Sequence, residues 1–397
     1  MTEFDFWKKI SLLGGELYIV GGWVRDFIRK VQPKDKDYVV VGLTESEFVR
    51  SFPQASKVGK KFPVFMLKVD GKHCEVAFAR TEKKNGQGYR GFVAEVNNIS
   101  LLQDLARRDT TMNSIAYDIK TKAIIDPYRG QEDIRSGLIR AVSPRFCEDP
   151  IRALRAARQA AEFNFEITDD TLLLMNKCKQ ELLLEPGERF VAELTKALKA
   201  QKPTKFFDGL EKADLLDVCF GEIADLTEIK HFKGTSFTML LEKLDKIATI
   251  NNKIEIRFAT VINGLAQTEG SFDCAKGLVA LARFNQQLRL PKKWMEIAEF
   301  LLVSKEKIKI IEKKYNSGDV VELLLSLNKS PVEKEDLSDF LTINNMTVPS
   351  YINNSEKIIE ELLEVKGSMA PTGLLNNDIA KWIRKEQIDR YEKITPN

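Results

Sequence analysis

Tyr18-Ile19-Val20-Gly21-Gly22-Trp23-Val24-Arg25-Asp26, followed at once by Lys34-Asp35-Lys36-Asp37-Tyr38-Val39-Val40-Val41, decides how this chain of 397 residues is read. An apolar run ends in two glycines, and a short helical segment with Arg25 in its first turn follows. A second apolar run then opens with aspartates two residues apart. On a strand, that spacing puts both carboxylates on one face. Two carboxylates aimed at one point, beside a glycine turn and an arginine, suit a divalent metal and a polyphosphate. The competing reading is a surface strand with two solvated aspartates. The Gly-Gly element on the preceding apolar run favours the site.

Composition bounds the rest. Hydrophobic residues make up 43% and charged residues 30%, as in ordinary globular proteins. No apolar run approaches a membrane span, and MTEFDFWKKI lacks a signal-peptide pattern. The scattered cysteines (Cys74, Cys147, Cys178, Cys219, Cys274) never form Cys-x-x-Cys, which argues against a zinc ribbon or a disulfide framework and fits a reducing cytoplasm. The formal net charge is only +3, so a nucleic-acid partner must be met by local basic patches.

The organisation changes near residue 140. Before it, β-rich runs dominate: Leu17–Val20, Asp37–Gly42, Pro63–Val69, His73–Ala79 and Ile115–Asp118. After Asp149, apolar residues recur at helical spacing, as in Ile151, Leu154, Ala157 and Ala161. The expectation is an α+β chain: an α/β head over 1–140, a helical neck over 141–200, and a helical body and tail over 201–397. Asp149 and Pro150 suit a helix N-cap and first turn, and Arg152, Arg155 and Arg158 then form a drifting stripe.

GGWVRD followed by DKD resembles the signature of class II tRNA CCA-adding enzymes and bacterial poly(A) polymerases. The resemblance continues, in family order, through RRDTTMNSIAYD (Arg107 to Asp118), IIDPYRGQEDI (Ile124 to Ile134) and RAVSPRFCEDPIRALRAAR (Arg140 to Arg158). It implies a polymerase-beta-like nucleotidyltransferase head that adds C, C and A to tRNA 3′ ends from CTP and ATP, using Mg2+. Asp35 and Asp37 are the implied metal ligands, and Glu75 is the candidate third catalytic carboxylate, with a solvated strand glutamate as its alternative. Gly21, Gly22 and Arg25 would meet the triphosphate. By the same resemblance Arg108 contacts nucleotide phosphate, and Asp109 and Asn113 organise the sugar side. Thr110 stands where the family usually has phenylalanine, a position that packs and does not react. Asp149 and Arg152 would read the base: a carboxylate accepts from the exocyclic amine that C and A carry where U and G carry a carbonyl. Arg155 and Arg158 would lie nearer the phosphates or the pocket wall.

The Gly-rich stretch from Arg80 to Phe92 matches a loop that, in CCA-adding enzymes, helps the pocket switch from CTP to ATP. Its presence leans toward complete CCA addition. Glu188, Arg189 and Glu193, in a neck-like motif, are expected to brace the base-reading helix. Some relatives carry a metal-dependent hydrolase domain, but this chain has two histidines, and Ile262-Asn263 stands where its His-Asp pair would be. No hydrolytic metal site is expected there. Lys292, Lys293, Lys305, Lys307 and Lys309 are weak candidates for holding tRNA, or else a solvated face. Gly59-Lys60-Lys61-Phe62 partly echoes a poly(A) polymerase, so a poly(A) or A-only enzyme is the main alternative, and a non-catalytic RNA-binding relic the third.

Overall fold

Strands β1 (Glu16–Val20) and β2 (Asp37–Val41), the two apolar runs quoted above, pair antiparallel at the centre of a sheet. The computed structural model describes residues 1–58, 64–84, 92–95, 98–228, 230–231, 234–268 and 271–395. β3 (Ser56–Val58), β4 (Val64–Val69), β5 (Lys72–Phe78), β8 (Ala116–Asp118) and β9 (Ile124–Ile125) join β1 and β2 in one seven-stranded sheet of order β3-β4-β5-β2-β1-β8-β9, and β6 (Thr81–Lys84) and β7 (Phe92–Glu95) follow β5 in the chain. β2 and β5 run parallel and the other pairs antiparallel, so the sheet is mixed. β6 and β7 form a separate hairpin.

The chain divides into two compact units, Met1–Cys219 and Phe220–Asn397. In the first, α1 (Glu3–Leu12), α2 (Gly22–Ile28), α3 (Glu45–Ser51), α4 (Leu101–Ala106) and α5 (Gly130–Ser136) accompany the sheet. Phe6, Tyr38, Phe48, Phe52, Phe65 and Phe78 make a buried aromatic cluster with edge-to-face and tilted pairs. Each such side chain stabilises the fold by about 1.5–3 kcal/mol. Helices α6 (Ile151–Phe163), α7 (Asp169–Lys177), α8 (Lys179–Leu182), α9 (Gly187–Lys199) and α10 (Thr204–Lys212) complete this unit. Ala153, Ala156, Ala157, Ala160 and Ala161 on α6 are buried, and their small side chains let α9 and α10 pack closely on it.

Two local expectations need correction. Asp37 opens β2, but Asp35 lies outside the strand, because β1 ends at Val20, the residue paired with Asp37. Gly21 then turns away with φ +72°, so no ladder extends back to Asp35. Helix α6 starts at Ile151, with Pro150 at the cap position. Asp149 is extended and accepts the Ile151 N–H at 3.3 Å, a cap displaced by one residue.

The Asp126–Ile134 segment shows why its glycine is needed. The Asp126 carboxylate accepts the Gly130 and Gln131 N–H groups at 2.7 and 2.9 Å, capping α5. A Cβ on Gly130 would stand 2.3 Å from the Thr111 carbonyl oxygen. Gly130→Ala is therefore expected to destabilise the first unit by about 1–3 kcal/mol, read as a fall of several degrees in its thermal midpoint.

The second unit is helical: α11 (Leu216–Glu228), which begins in the first unit and breaks at Phe220 (φ −150°), is followed by α12 (Ser236–Ile250), α13 (Ile254–Leu265), α14 (Cys274–Leu288), α15 (Lys292–Lys313), α16 (Ser317–Lys329), α17 (Lys334–Ile343), α18 (Ser350–Asn353), α19 (Ser355–Leu363) and α20 (Asn376–Ile394). No helix of the described residues is long and apolar enough to cross a membrane.

Lys305 is not on a solvated face. It is 3% exposed on α15, donates to Asn263 Oδ1 at 2.6 Å, and lies 3.9 Å from the Phe272 ring. Asn263 in turn donates to Asn344 Oδ1, which also accepts from Lys243. Burial, with Lys243 and Lys309 nearby, pushes the Lys305 amine down to about 6, against Glu306 and Cys274. Because the folded-state value lies below the unfolded one, the unfolded chain binds more protons between about pH 6 and 10. Stability of the second unit should therefore rise with pH across that window and reach its floor below about pH 6. Lys305→Met should flatten that slope in thermal melts; an unchanged slope would contradict the assignment. Of the other lysines, Lys292, Lys293 and Lys307 are ion-paired to Glu296, Glu255 and Glu322, and Lys309 lies over Phe272.

Candidate active site

At the end of β1, Gly21 adopts φ +72°, a region that favours glycine. A Cβ there would meet Arg108 NH1 at 3.4 Å and Asp37 Oδ2 at 4.0 Å, so the missing side chain leaves a gap between a guanidinium and a carboxylate. Gly22 starts α2, which carries Arg25. Arg25 donates to Asp26 at 3.0 Å and to Asn113 Oδ1 at 2.9 Å, and its guanidinium lies 4.4 Å from the Phe163 ring.

Asn113 ends a short 3-10 turn (Thr111–Asn113) and donates to Asp109 Oδ1 at 3.1 Å. Asp109 is the hub of this region. It also accepts from the Thr110 N–H (2.8 Å), Gln159 (2.9 Å) and Arg155 (2.8 and 2.7 Å). Burial opposes its ionisation, but Arg155 and these hydrogen bonds hold its carboxyl well below the usual range. Asp109 is 5% exposed. Its oxygens are committed to the protein, so it acts by setting Asn113 and Arg155 in place.

Helix α6 turns its arginine stripe into the same space. Arg152 is buried and donates to the Arg145 carbonyl at 2.7 Å, and Arg158 bonds Glu193 at 2.7 Å and also Glu162. Asp149 is gripped through both oxygens, each 3.0 Å from Arg189 NH2 on α9, and Arg189 also bonds Glu185 at 2.6 Å.

Of the carboxylates expected to hold a metal, Asp37 borders this space. Asp37 stands in parallel register with Glu75 on β5. Burial, the Glu75 charge and the Asp35 charge push the Asp37 carboxyl up to about 6, with Arg108 opposing. Such a cluster of hard oxygen donors carrying like charge fits a divalent cation. Among the described residues, no three His, Cys, Asp or Glu side chains converge closely enough to hold a metal by themselves. A cation here would complete its shell with phosphate and water, as small divalent ions commonly do.

These groups line one cavity of about 530 Å3 within the first unit, a volume suited to a small-molecule ligand. Gly21, Gly22, Arg25, Arg108, Asp109, Asn113, Asp149, Arg152, Arg155 and Arg158 all line it, as does Asp37, whereas Asp35 and Glu75 do not. Arg80, Arg107, Ile151, Arg189, Ala192 and Glu193 also contribute, so the wall holds eight arginines and four carboxylates. Sequence reasoning missed Arg80 and Arg107 and expected only bracing from Arg189 and Glu193. Their spacing of four on α9 was the available signal, since it puts both on one helix face. In the glycine-rich stretch, the hairpin β6–β7 is described in register Thr81↔Glu95 to Lys84↔Phe92, and residues 85–91 lie outside the described residues. The echo at Gly59-Lys60-Lys61-Phe62 lies outside them too.

Residues 17–140 match the model of the poly A polymerase head domain, and residues 164–226 match that of the probable RNA and SrmB-binding site of polymerase A. A CCA-adding enzyme of Buchnera aphidicola subsp. Acyrthosiphon pisum is 42% identical over 260 residues, covering 62% of this chain and 61% of that protein. A multifunctional CCA protein of Neisseria gonorrhoeae is 36% identical over 302 residues, covering 72% of each. The chain thus spans about three-fifths of the Buchnera relative's length. In fold, it resembles an apo CCA-adding enzyme at TM-score 0.72 and 20% identity, over 98% of this chain and 90% of the other. It also resembles the Thermotoga maritima CCA-adding enzyme complexed with tRNA at TM-score 0.65 and 20% identity, over 99% of this chain and 91% of the other.

Proposed function

Because the chain belongs to the class II family of CCA-adding enzymes and bacterial poly(A) polymerases, we propose that it adds C, C and A in turn to tRNA 3′ ends, taking CTP and ATP without a nucleic-acid template. One observation carries this reading. Ten residues from three distant stretches of sequence, singled out for nucleotide binding, line a single arginine-rich cavity next to Asp37. The relatives' names and the complexes of similar folds with tRNA, CTP and ATP agree with it.

The family works with a divalent metal ion, and for this chain we take it to be Mg2+, held by Asp37 and Asp35, with Glu75 alongside. When bound, such an ion neutralises phosphate charge and lowers the pKa of the attacking hydroxyl. The chain's own residues do the rest. Backbone N–H groups at Gly21 and Gly22 let the triphosphate approach. Arg25 and Arg108 neutralise its charge. Asp109 fixes Asn113 on the sugar side and Arg155 on the wall. Asp149, oriented by Arg189, accepts the exocyclic amine of C or A, and Arg152 donates to the same base edge. The RNA 3′ oxygen then attacks the α-phosphorus and pyrophosphate leaves. Arg158, tied to Glu193, closes the wall.

In this reading residues 1–140 are the catalytic head, 141–200 the neck and 201–397 the tRNA-holding part, and the enzyme works in the cytoplasm, in keeping with five cysteines that form no disulfide. The test uses tRNA ending before CCA and one labelled nucleotide at a time. CTP alone should add two residues, ATP alone none, and the two together three. Addition of many adenosines from ATP alone would favour the poly(A) alternative.

A further inference from the structure

Arg107 and Arg108 reach the cavity from the end of α4, a helix of six residues that cannot orient two long side chains by itself. The group that orients them is Asp104, on the same helix and fully buried. Its oxygens are divided between the two. Oδ1 accepts from Arg107 Nε and NH2 at 3.1 and 2.7 Å, and Oδ2 accepts from Arg108 Nε and NH2 at 3.3 and 3.0 Å. Oδ1 also accepts the Arg80 backbone N–H at 3.3 Å, and Arg107 Nε donates to the Arg80 carbonyl at 2.8 Å. Arg80 is itself on the cavity wall, and its peptide is where the chain leaves β5 and enters β6. On the far side, Arg108 NH1 donates to the Asn113 carbonyl at 3.4 Å and faces Gly21.

From this geometry we infer that Asp104 is a positioning residue for nucleotide binding: one buried carboxylate sets the Arg107 and Arg108 guanidiniums and locks both to the base of the β6–β7 hairpin. The inference rests on the nucleotidyltransferase reading of the cavity. Burial would raise the Asp104 carboxyl, yet Arg108 and Arg107 hold it below its ordinary value, as expected of a permanently ionised clamp. A buried carboxylate is costly to keep unless it is paired and hydrogen-bonded, and here the partners are two of the wall arginines. Asp104 lies outside the cavity lining, and the carboxylates expected to hold the metal are elsewhere, so its loss should weaken nucleotide binding far more than the chemical step.

Asp104→Asn keeps the shape, but it is neutral, and its amide nitrogen replaces one of the two oxygens, so it faces one guanidinium and cannot accept from it. The expected result, in steady-state addition to tRNA lacking CCA, is a KM for CTP and for ATP raised about 10- to 100-fold, the loss of one or two charge-assisted bonds. Turnover should change less than about threefold, and the KM for tRNA should stay at the wild-type value. Arg107→Lys, which keeps the charge but loses the Nε bond to the Arg80 carbonyl, should raise the nucleotide KM in the same direction and by less. It serves as the second test if Asp104→Asn does not fold. A purely structural role would lower the melting point and the amount of active protein while leaving the nucleotide KM unchanged in both variants. That outcome, with wild type active, overturns the inference and leaves the function standing. A wild type that adds no C or A would overturn the function instead.

Discussion

Asp37→Ala is expected to cut nucleotide addition at least about a thousandfold, with all four nucleotides affected alike. A metal clamp on a transferring phosphoryl group supplies several kcal/mol, and each 1.36 kcal/mol is a factor of ten. Of Asp35, Asp37 and Glu75, Asp37 is the one that lines the cavity, and it stands against Arg108 across the gap that Gly21 leaves open. Asp35→Ala should also abolish addition, although Asp35 lies outside the strand and does not line the cavity. Fold and tRNA affinity should change little, because neither side chain packs into the aromatic core. Melting temperature should not fall in Asp37→Ala, since removing one of three neighbouring carboxylates relieves like-charge repulsion. Circular dichroism melts and turnover in magnesium check both halves. Near wild-type turnover would remove these carboxylates from the active site.

Asp149→Ala carries the second large effect, and it changes choice more than rate. A good bidentate polar match is worth roughly 1–3 kcal/mol of discrimination, about ten- to a hundredfold. The preference for CTP and ATP over UTP and GTP should erode by about that factor. The structure adds a reason for the selectivity to be sharp. Arg189 holds both Asp149 oxygens at 3.0 Å, so the carboxylate has one orientation before any base arrives. The comparison is the ratio of kcat/KM values for the four nucleotides in wild type and variant. Retention of the full preference in Asp149→Ala would move base selection elsewhere.

Much of the head was legible because its signals are local. The strand runs expected at Leu17–Val20, Asp37–Gly42 and His73–Ala79 are strands at Glu16–Val20, Asp37–Val41 and Lys72–Phe78, and a helix follows Pro150. What escaped depends on pairing across distance. Asp35 falls outside β2 only because β1 stops at Val20, and nothing within Lys34–Val41 records where its partner strand ends. The sequence marks Asp149 as a helix cap and base reader, but does not show that Arg189, forty residues away on a different helix, holds its carboxylate. Lys305 looked like one more lysine on a basic helix. Its burial follows from Asn263 and Phe272, which come from elements the helical spacing of α15 does not reveal. The arginine stripe of α6 was legible in full, since helical periodicity fixes it, whereas the acidic partners that tie it down, Asp109 and Glu193, had to come from the fold.

On the proposed function, the cavity selects C, C and then A, and stops. The most direct test is the mass of a tRNA ending before CCA after exhaustive incubation with the protein, magnesium and all four nucleoside triphosphates. The expected product is heavier by two cytidylates and one adenylate, with no further growth. A ladder of adenylates on that tRNA, or equal extension of an unrelated RNA, would contradict it.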